Sequence, residues 1–252
     1  FTDENSFYQR NQLGEFLLDQ DGNRLPVARP VNSEGSMYDI AKGSIWVGDY
    51  IFEDVNKDGK ITEADRKYIG NPNPDFTFGL NNVITWKDFE LSFFINGSVG
   101  NDVYNLVRQN HTDFSVWSNL MKDATNYAVI GLHDEAGSAL DITNVYITNA
   151  STATYPRMND NSRISSRFVE DGSYVRLKSL SFAWNMPKKW ISKVNLDWVQ
   201  IYANAQNLFT ITGYDGYDPE IGANGQSVIL QCIDNYRYPS QRIYNVGLKV
   251  RF

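Results

Sequence analysis

The chain has 252 residues, is 42% hydrophobic and 21% charged, and carries a formal net charge of −7. That length allows one or two ordinary domains, and the apolar content is too high for a disordered polyelectrolyte. The acidic balance, with no Lys/Arg cluster, argues against a nucleic-acid partner; the single cysteine, Cys232, excludes an internal disulfide framework or a cysteine-based zinc site; and no apolar run approaches the ~18 residues of a transmembrane helix. Aromatic residues make up 14%, led by 15 Tyr and 14 Phe. With frequent Asn, Gly and Asp turns, this predicts an all-β fold. A membrane β-barrel stays open, because its strands alternate and so score as only mildly hydrophobic.

The chain opens on Phe1-Thr2-Asp3-Glu4 with no basic, then apolar, leader, so an earlier part of a longer protein is expected to precede it. The first segment with chemistry in it runs from Asp54 to Asp65. Asp54, Asn56 and Asp58 stand at positions 1, 3 and 5 of a calcium loop, Gly59 at the sharp turn, Lys60 where a backbone carbonyl is offered, Ile61 behind it, and Asp65 at the closing position. Calcium takes about 6–8 hard oxygen ligands, which is what this spacing supplies. The closing residue is Asp where an EF-hand has Glu, a shorter arm. A solvated Asp/Asn/Gly turn that binds nothing is the plainer reading. Ca²⁺ is the cofactor expected here, in a structural role.

Period-2 alternation follows. Phe76, Phe78, Leu80, Ile84 and Trp86 share one face of a strand, and Phe89, Leu91, Phe93 and Ile95 one face of the next, with only Lys87-Asp88 between them: a tight hairpin. From Tyr174 to Asn185 the apolar phase switches between Leu177 and Leu180. Either a bulge near Lys178 or a strand projecting above a membrane explains the switch. Val199, Ile201, Ala203 and Ala205 line a further strand, and Tyr244, Val246, Leu248, Val250 and Phe252 the last.

Each clean strand has about 10 residues, the length of a tilted membrane-spanning strand and longer than the usual sandwich strand. Taking the last strand as descending to a periplasmic end, Lys87-Asp88 and 186–195 become inner turns, and 100–173 and 208–242 become long extracellular loops. Short and long connections then alternate, as in transmembrane barrels. Trp86, Phe89, Trp184, Trp190 and Phe252 gather near the inner ends, and Phe76, Phe78 and Tyr244 near the outer ends, as aromatic girdles do. Trp198 does not fit, lying on the polar phase. Leu91, Phe93, Ile95, Val199, Ile201, Ala203, Val246, Leu248 and Val250 are expected to face outer-membrane lipid, and Asn96, Gln200, Asn204 and Lys249 the lumen. Five such strands leave open edges, so further strands are expected elsewhere.

Several runs resemble SusC/RagA-type TonB-dependent outer-membrane transporters: Gly48-Asp49-Tyr50-Ile51-Phe52-Glu53-Asp54 through Gly59, Ile69-Gly70-Asn71-Pro72-Asn73-Pro74, Phe168-Val169-Glu170-Asp171-Gly172-Ser173-Tyr174, Asn204-Ala205-Gln206-Asn207-Leu208-Phe209, and Gly213-Tyr214-Asp215-Gly216-Tyr217-Asp218-Pro219-Glu220. The ending Val246-Gly247-Leu248-Lys249-Val250-Arg251-Phe252 is similar to a terminal barrel strand. The resemblance covers roughly Gly48 to Phe252 and is weak before that and within the 100–173 loop. It implies that residues 1–252 are the C-terminal segment of a 22-stranded antiparallel barrel. It also implies a plug domain outside this sequence, energisation through the TonB complex, a SusD-like surface lipoprotein as lid, and a glycan or peptide cargo.

No phosphate-cradling glycine loop, nucleophile elbow or zinc helix occurs, and no pair of carboxylates is marked for acid–base work, so an enzyme is not expected. The long loops carry Tyr104, Trp117, Tyr127, Tyr155, Tyr214, Tyr217 and Tyr236, candidates for stacking on sugars or peptides or for contacting the lid. Packing the loops onto themselves is the competing role for each. The alternative function from another class is a secreted, calcium-stabilised β-rich module that binds glycans or proteins.

Overall fold

The computed structural model describes residues 1–37, 45–113, 119–158, 163–221 and 231–252. In chain order the first elements are β1 (Arg29–Pro30), β2 (Lys60–Ile61), β3 (Phe76–Trp86), β4 (Phe89–Val99), β5 (Asp102–Asn105) and α1 (Leu106–Thr112). Then come β6 (Ile130–Leu132), β7 (Val145–Ile147), β8 (Val169–Asp171), β9 (Tyr174–Asn185) and α2 (Lys188–Ile191), and last β10 (Trp198–Thr212), β11 (Ile233–Asp234) and β12 (Ile243–Arg251). Contacts divide the chain into two units, one of Phe1–Tyr68 with Arg108–Ile164, the other of Ile69–Val107 with Ser165–Phe252.

The second unit is built on a five-stranded antiparallel sheet in the order β12-β10-β9-β4-β3. Each long strand lies beside the long strand next to it in sequence, joined alternately by a short turn and a long loop. Directly opposed residues share a face in such a ladder. One row runs Trp86, Phe89, Trp184, Ile201, Leu248, and another on the same face runs Ile84, Leu91, Phe182, Ala203, Val246. The intervening rows, on the other face, carry Thr85, Glu90, Ala183, Tyr202, Gly247 and Val83, Ser92, Ser181, Asn204, Asn245. The two sides expected from alternation are therefore continuous across all five strands. On the apolar side, Trp86 is 64% exposed, Leu248 61% and Val246 81%.

The phase switch in β9 is a bulge. Phe94 opposes Ser179 but Ile95 opposes Leu177, leaving Lys178 as the extra residue. On the other side Gln206 opposes Ser179 and Phe209 opposes Leu177, with Asn207 at a positive φ of 52°. The bulge keeps Leu177 and Leu180 on the apolar side. It also lets β10 continue to Thr212, so the loop expected from Leu208 begins only after that residue. Trp198, the aromatic on the polar phase, donates from Nε1 to Asn185 Oδ1 at 3.1 Å, which accounts for its place there. Gly247 is required where Tyr202 crosses it, since a Cβ would lie 2.3 Å from the phenol ring.

The long loops are not structureless. In the second unit β5 pairs with β8 and β11, closing a small three-stranded sheet. The helices α1 and α2 lie inside connections where an all-β reading had placed only loop. In the first unit β6 and β7 form a hairpin whose Val145 joins Phe1, Phe7, Ile45, Trp46 and Val47 in one apolar cluster. Residues 8–37, where alternation is weak, fold as a series of tight reversals. The side chains of Asn11, Asp19 and Asn32 each accept two backbone N–H bonds, from the residues two and four places on. Gly14, Gly22 and Gly35 follow three residues later at positive φ of 84°, 85° and 78°.

Candidate functional site

The polar side of the large sheet ends, beyond the bulge, in a cluster of charges. Arg176 lies in the row Gly79, Asn96, Arg176, Thr210, opposite the apolar side. Its Nε donates to Thr210 Oγ1 at 2.8 Å, Nη1 to Glu220 Oε2 at 2.8 Å, and Nη2 to Asp218 Oδ1 at 2.5 Å. Lys178, displaced by the bulge, donates to both oxygens of Glu220 at 2.8 and 2.6 Å. Asp218 also accepts the backbone N–H of Glu220 at 3.0 Å and of Ser240 at 2.8 Å. The Arg176 and Asp218 side chains are 4% and 3% exposed. Burial alone would push the Asp218 carboxyl up. The Arg176 guanidinium and the two amides outweigh it and hold the group at about 2.

This cluster ties Asp218, Glu220 and Ser240, which lies just before β12, to the polar side of the strands. Tyr214 and Asp234 reinforce it: the phenol donates to Asp234 Oδ2 at 2.7 Å, and both residues are buried. Burial, with the Asp234 carboxylate beside it, pushes the Tyr214 hydroxyl well above the usual phenol range. Next to the cluster is a cavity of about 370 Å³ walled by Pro72, Pro74, Pro219 and Tyr174, with Glu220 and Arg237 at its polar margin. Tyr174 and Ser98 oppose each other on the polar side of the sheet, so the cavity opens on that side. Asn96, one turn of the pleat below, has a buried Oδ1 without a partner. Apolar walls with a few charged and amide groups suit binding, and no nucleophile with its base is assembled there. Sequence reasoning did not select this group. Its legible signal was Arg176 and Lys178 within an otherwise apolar-alternating strand.

The expected loop residues scatter. Tyr155 is buried, with its hydroxyl 3.5 Å from Arg108 Nε, and Tyr127 is half-buried and bridged to Tyr155. Tyr104 lies edge-on to Phe168, its hydroxyl pushed up to about 12 by burial. Tyr214 is buried, and Tyr104 is half-buried. Tyr217 and Tyr236 are the exposed ones, at 70% and 49%. Trp117 lies outside the described residues.

In the Asp54–Asp65 loop, Asp65 accepts from the backbone N–H groups of Val55 at 3.0 Å and Thr62 at 2.6 Å. Those amides hold its carboxyl below the usual range, Thr62 contributing most. Gly59 N–H donates to Asp54 Oδ2 at 2.8 Å, and the amides of Asp58 and Lys60 bond back to Asn56 and Asp58. The other Asp54 oxygen, Oδ1, is buried and without a partner, as a cation ligand in waiting would be. No set of three or more carboxylate, imidazole or thiol groups converges among the described residues. A calcium ion there would need the Lys60 carbonyl and the Asn56 amide oxygen besides the carboxylates of Asp54, Asp58 and Asp65.

No protein-family model matches the chain. It is 36% identical over 211 residues to the TonB-dependent receptor P3 of Formosa agariphila, covering 81% of this chain and 19% of that one. It is 32% identical over 216 residues to receptor P26 of the same organism, with 82% and 20% covered. To the TonB-dependent receptor SusC of Bacteroides thetaiotaomicron it is 24% identical over 204 residues, 80% of this chain and 17% of SusC. Its fold matches the RagAB peptide transporter with a TM-score of 0.55 at 22% identity, over 71% of this chain and 17% of that one. The chain therefore spans about a fifth of the length of the relatives it matches. Those relatives are named as receptors and as a transporter, none as an enzyme. Its open antiparallel sheet, apolar on one side, matches a stretch of barrel wall, and the chain is similar to part of the SusC/RagA-type TonB-dependent receptors, proteins of the bacterial outer membrane.

Proposed function

We propose that the chain forms part of the wall and outer loops of an active importer that takes oligosaccharides or peptides through the outer membrane. In this reading the transporter is energised by TonB and closed by a SusD-like lipoprotein, and the chain is its C-terminal segment. The observation that carries the reading is the apolar side of the sheet, in register across five strands and exposed at Trp86, Phe182, Ile201, Val246 and Leu248, although Leu177 and Val199 on that side are buried, Val199 against expectation. A water-soluble module would bury such a surface or aggregate, whereas lipid satisfies it. The polar side then faces the lumen, and the Arg176–Asp218–Glu220 cluster and its cavity stand at the outer end of the lumen wall. The test is uptake by cells carrying the complete receptor as the only such importer, with labelled oligosaccharides and labelled peptides in parallel. Uptake of neither, with the protein in the outer membrane, refutes import. Recovery of the protein from the medium instead would favour the secreted binding module.

We further propose that the Asp54–Asp65 loop holds a structural calcium ion through Asp54, Asn56, Asp58, the Lys60 carbonyl and Asp65. Bound there, calcium would neutralise the clustered carboxylates and stiffen the loop, and it takes no part in chemistry. The buried, unpartnered Asp54 Oδ1 supports this.

A further inference from the structure

The turn end of the large sheet carries a charge pattern that import does not use. Lys87 stands in the β3–β4 hairpin, and Lys188, Lys189 and Lys193 stand in the short helical turn between β9 and β10. Arg251 ends β12, beside Trp198. Asp88 and Asp197 are the carboxylates among these turns, so cations outnumber anions there. None of the four lysines pairs with a carboxylate of the described residues. The loop end is the reverse, with Asp102, Glu170, Asp171, Asp215, Asp218 and Glu220 close to the ends of the same strands.

The lysines also stand at the edge of the apolar side. Trp190, within the helical turn, packs edge-on against Trp184 at 5.9 Å. Trp184 stacks on Phe89 at 6.2 Å, and Phe89 on Trp86 at 6.2 Å. Trp190 is 51% exposed, and Lys87 Nζ lies 5.0 Å from the Trp86 ring. A belt of indoles marks the depth at which hydrocarbon gives way to headgroups. Lysine stems can run along such apolar surface and release the ammonium at the level of the phosphates.

We propose that Lys188, Lys189 and Lys193, with Lys87 beside them, form a binding site for anionic phospholipid headgroups of the periplasmic leaflet, seated against the Trp86–Phe89–Trp184–Trp190 belt. The inference rests on the membrane reading given above. The ligand is a glycerophospholipid carrying net negative charge. Its acyl chains lie on the apolar face, and its phosphate is met by ammonium groups that have no carboxylate partner among the described residues. A free phosphate would not use the indole belt, and a zwitterionic lipid would present its own cation to the lysines.

The experiment takes the complete receptor, extracted from the outer membrane in mild detergent, and measures retained lipid by native mass spectrometry. Phosphatidylglycerol, phosphatidylcholine, lipopolysaccharide and inorganic phosphate are titrated separately. Phosphatidylglycerol is expected to be retained preferentially. Each Lys→Gln change at 188, 189 or 193 is expected to weaken it about fivefold, equivalent to about 1 kcal/mol, and the triple variant by about a hundredfold. Lys249→Gln, on the polar side, is the control and leaves retention unchanged. Heat-modifiable mobility on a gel checks that each barrel has folded, and the single variants suffice if the triple variant does not assemble. Equal retention of the zwitterionic lipid, preference for lipopolysaccharide, displacement by millimolar phosphate, or undiminished binding by folded Gln variants overturns the proposal. In each of those cases a receptor that fractionates with the outer membrane leaves the membrane reading standing. A receptor absent from that membrane overturns both.

Discussion

Replacing Asp218 by Asn removes one charge from the Arg176 cluster and turns one of two accepting oxygens into a donor. The Arg176 guanidinium, 4% exposed, would keep Thr210 and Glu220 but lose its shortest contact, 2.5 Å to Asp218 Oδ1. Breaking a buried pair by removing one partner costs about 3–5 kcal/mol, and the surviving Glu220 contact places this case at the low end. Proton linkage sets the scale independently. The Asp218 carboxyl is held at about 2, below the usual aspartate range, which corresponds to roughly 2–3 kcal/mol. Because the folded value is depressed, the stabilisation is complete above about pH 4 and is lost as pH falls from there towards 2. The barrel itself will outlast such a change, so the readout is local. Asp218 anchors the amides of Glu220 and Ser240, and their hydrogen exchange should accelerate by about two orders of magnitude in Asp218→Asn at neutral pH. Protection in the unaltered protein, corrected for intrinsic rate, should approach that of the variant near pH 2. Exchange within threefold of the parent at neutral pH, in a folded barrel, would refute the assignment of the loop's attachment to this pair.

Leu248→Arg, on the apolar side beside Ile201, should cost about 2–4 kcal/mol and reduce the heat-modifiable, outer-membrane fraction, whereas Lys249→Ala on the opposite side should be mild. The reverse ranking would exchange the two sides. Chelation of calcium should lower the thermal transition of the first unit, and Asp54→Asn should abolish the difference; identical melting with and without chelator would leave the loop a solvated turn. Trimming the tip of the loop after Thr212 or of the loop between β4 and β9 should impair uptake or lid capture in at least one case, with insertion intact. Uptake and lid binding that survive both deletions would make these loops a surface coat.

Alternation, which depends only on the order of residues, was enough to divide Leu91, Ile201 and Leu248 from Gln200, Asn204 and Lys249, because a strand turns successive side chains to opposite faces whatever it pairs with. Connection length was likewise enough to pair β3 with β4 and β9 with β10, since short turns join neighbours, whereas the pairings across the two long loops needed the structure. The spacing from Asp54 to Asp65 is local in the same way, and calcium there is the proposal made from it. What depended on pairing was not legible. Two causes fitted the phase switch between Leu177 and Leu180, and the registers to Ile95 and Phe209 decide for a bulge at Lys178. Arg176, Asp218, Glu220 and Ser240 lie up to 64 residues apart in sequence and meet only because the bulge and the return of the loop bring them to one end of the polar side. The loop tyrosines divided in the same way. Tyr155 and Tyr214 are buried and Tyr217 is exposed, although all are aromatic residues in polar surroundings. Burial is a property of the long-range contacts that cover a side chain, and residue type alone does not specify those contacts.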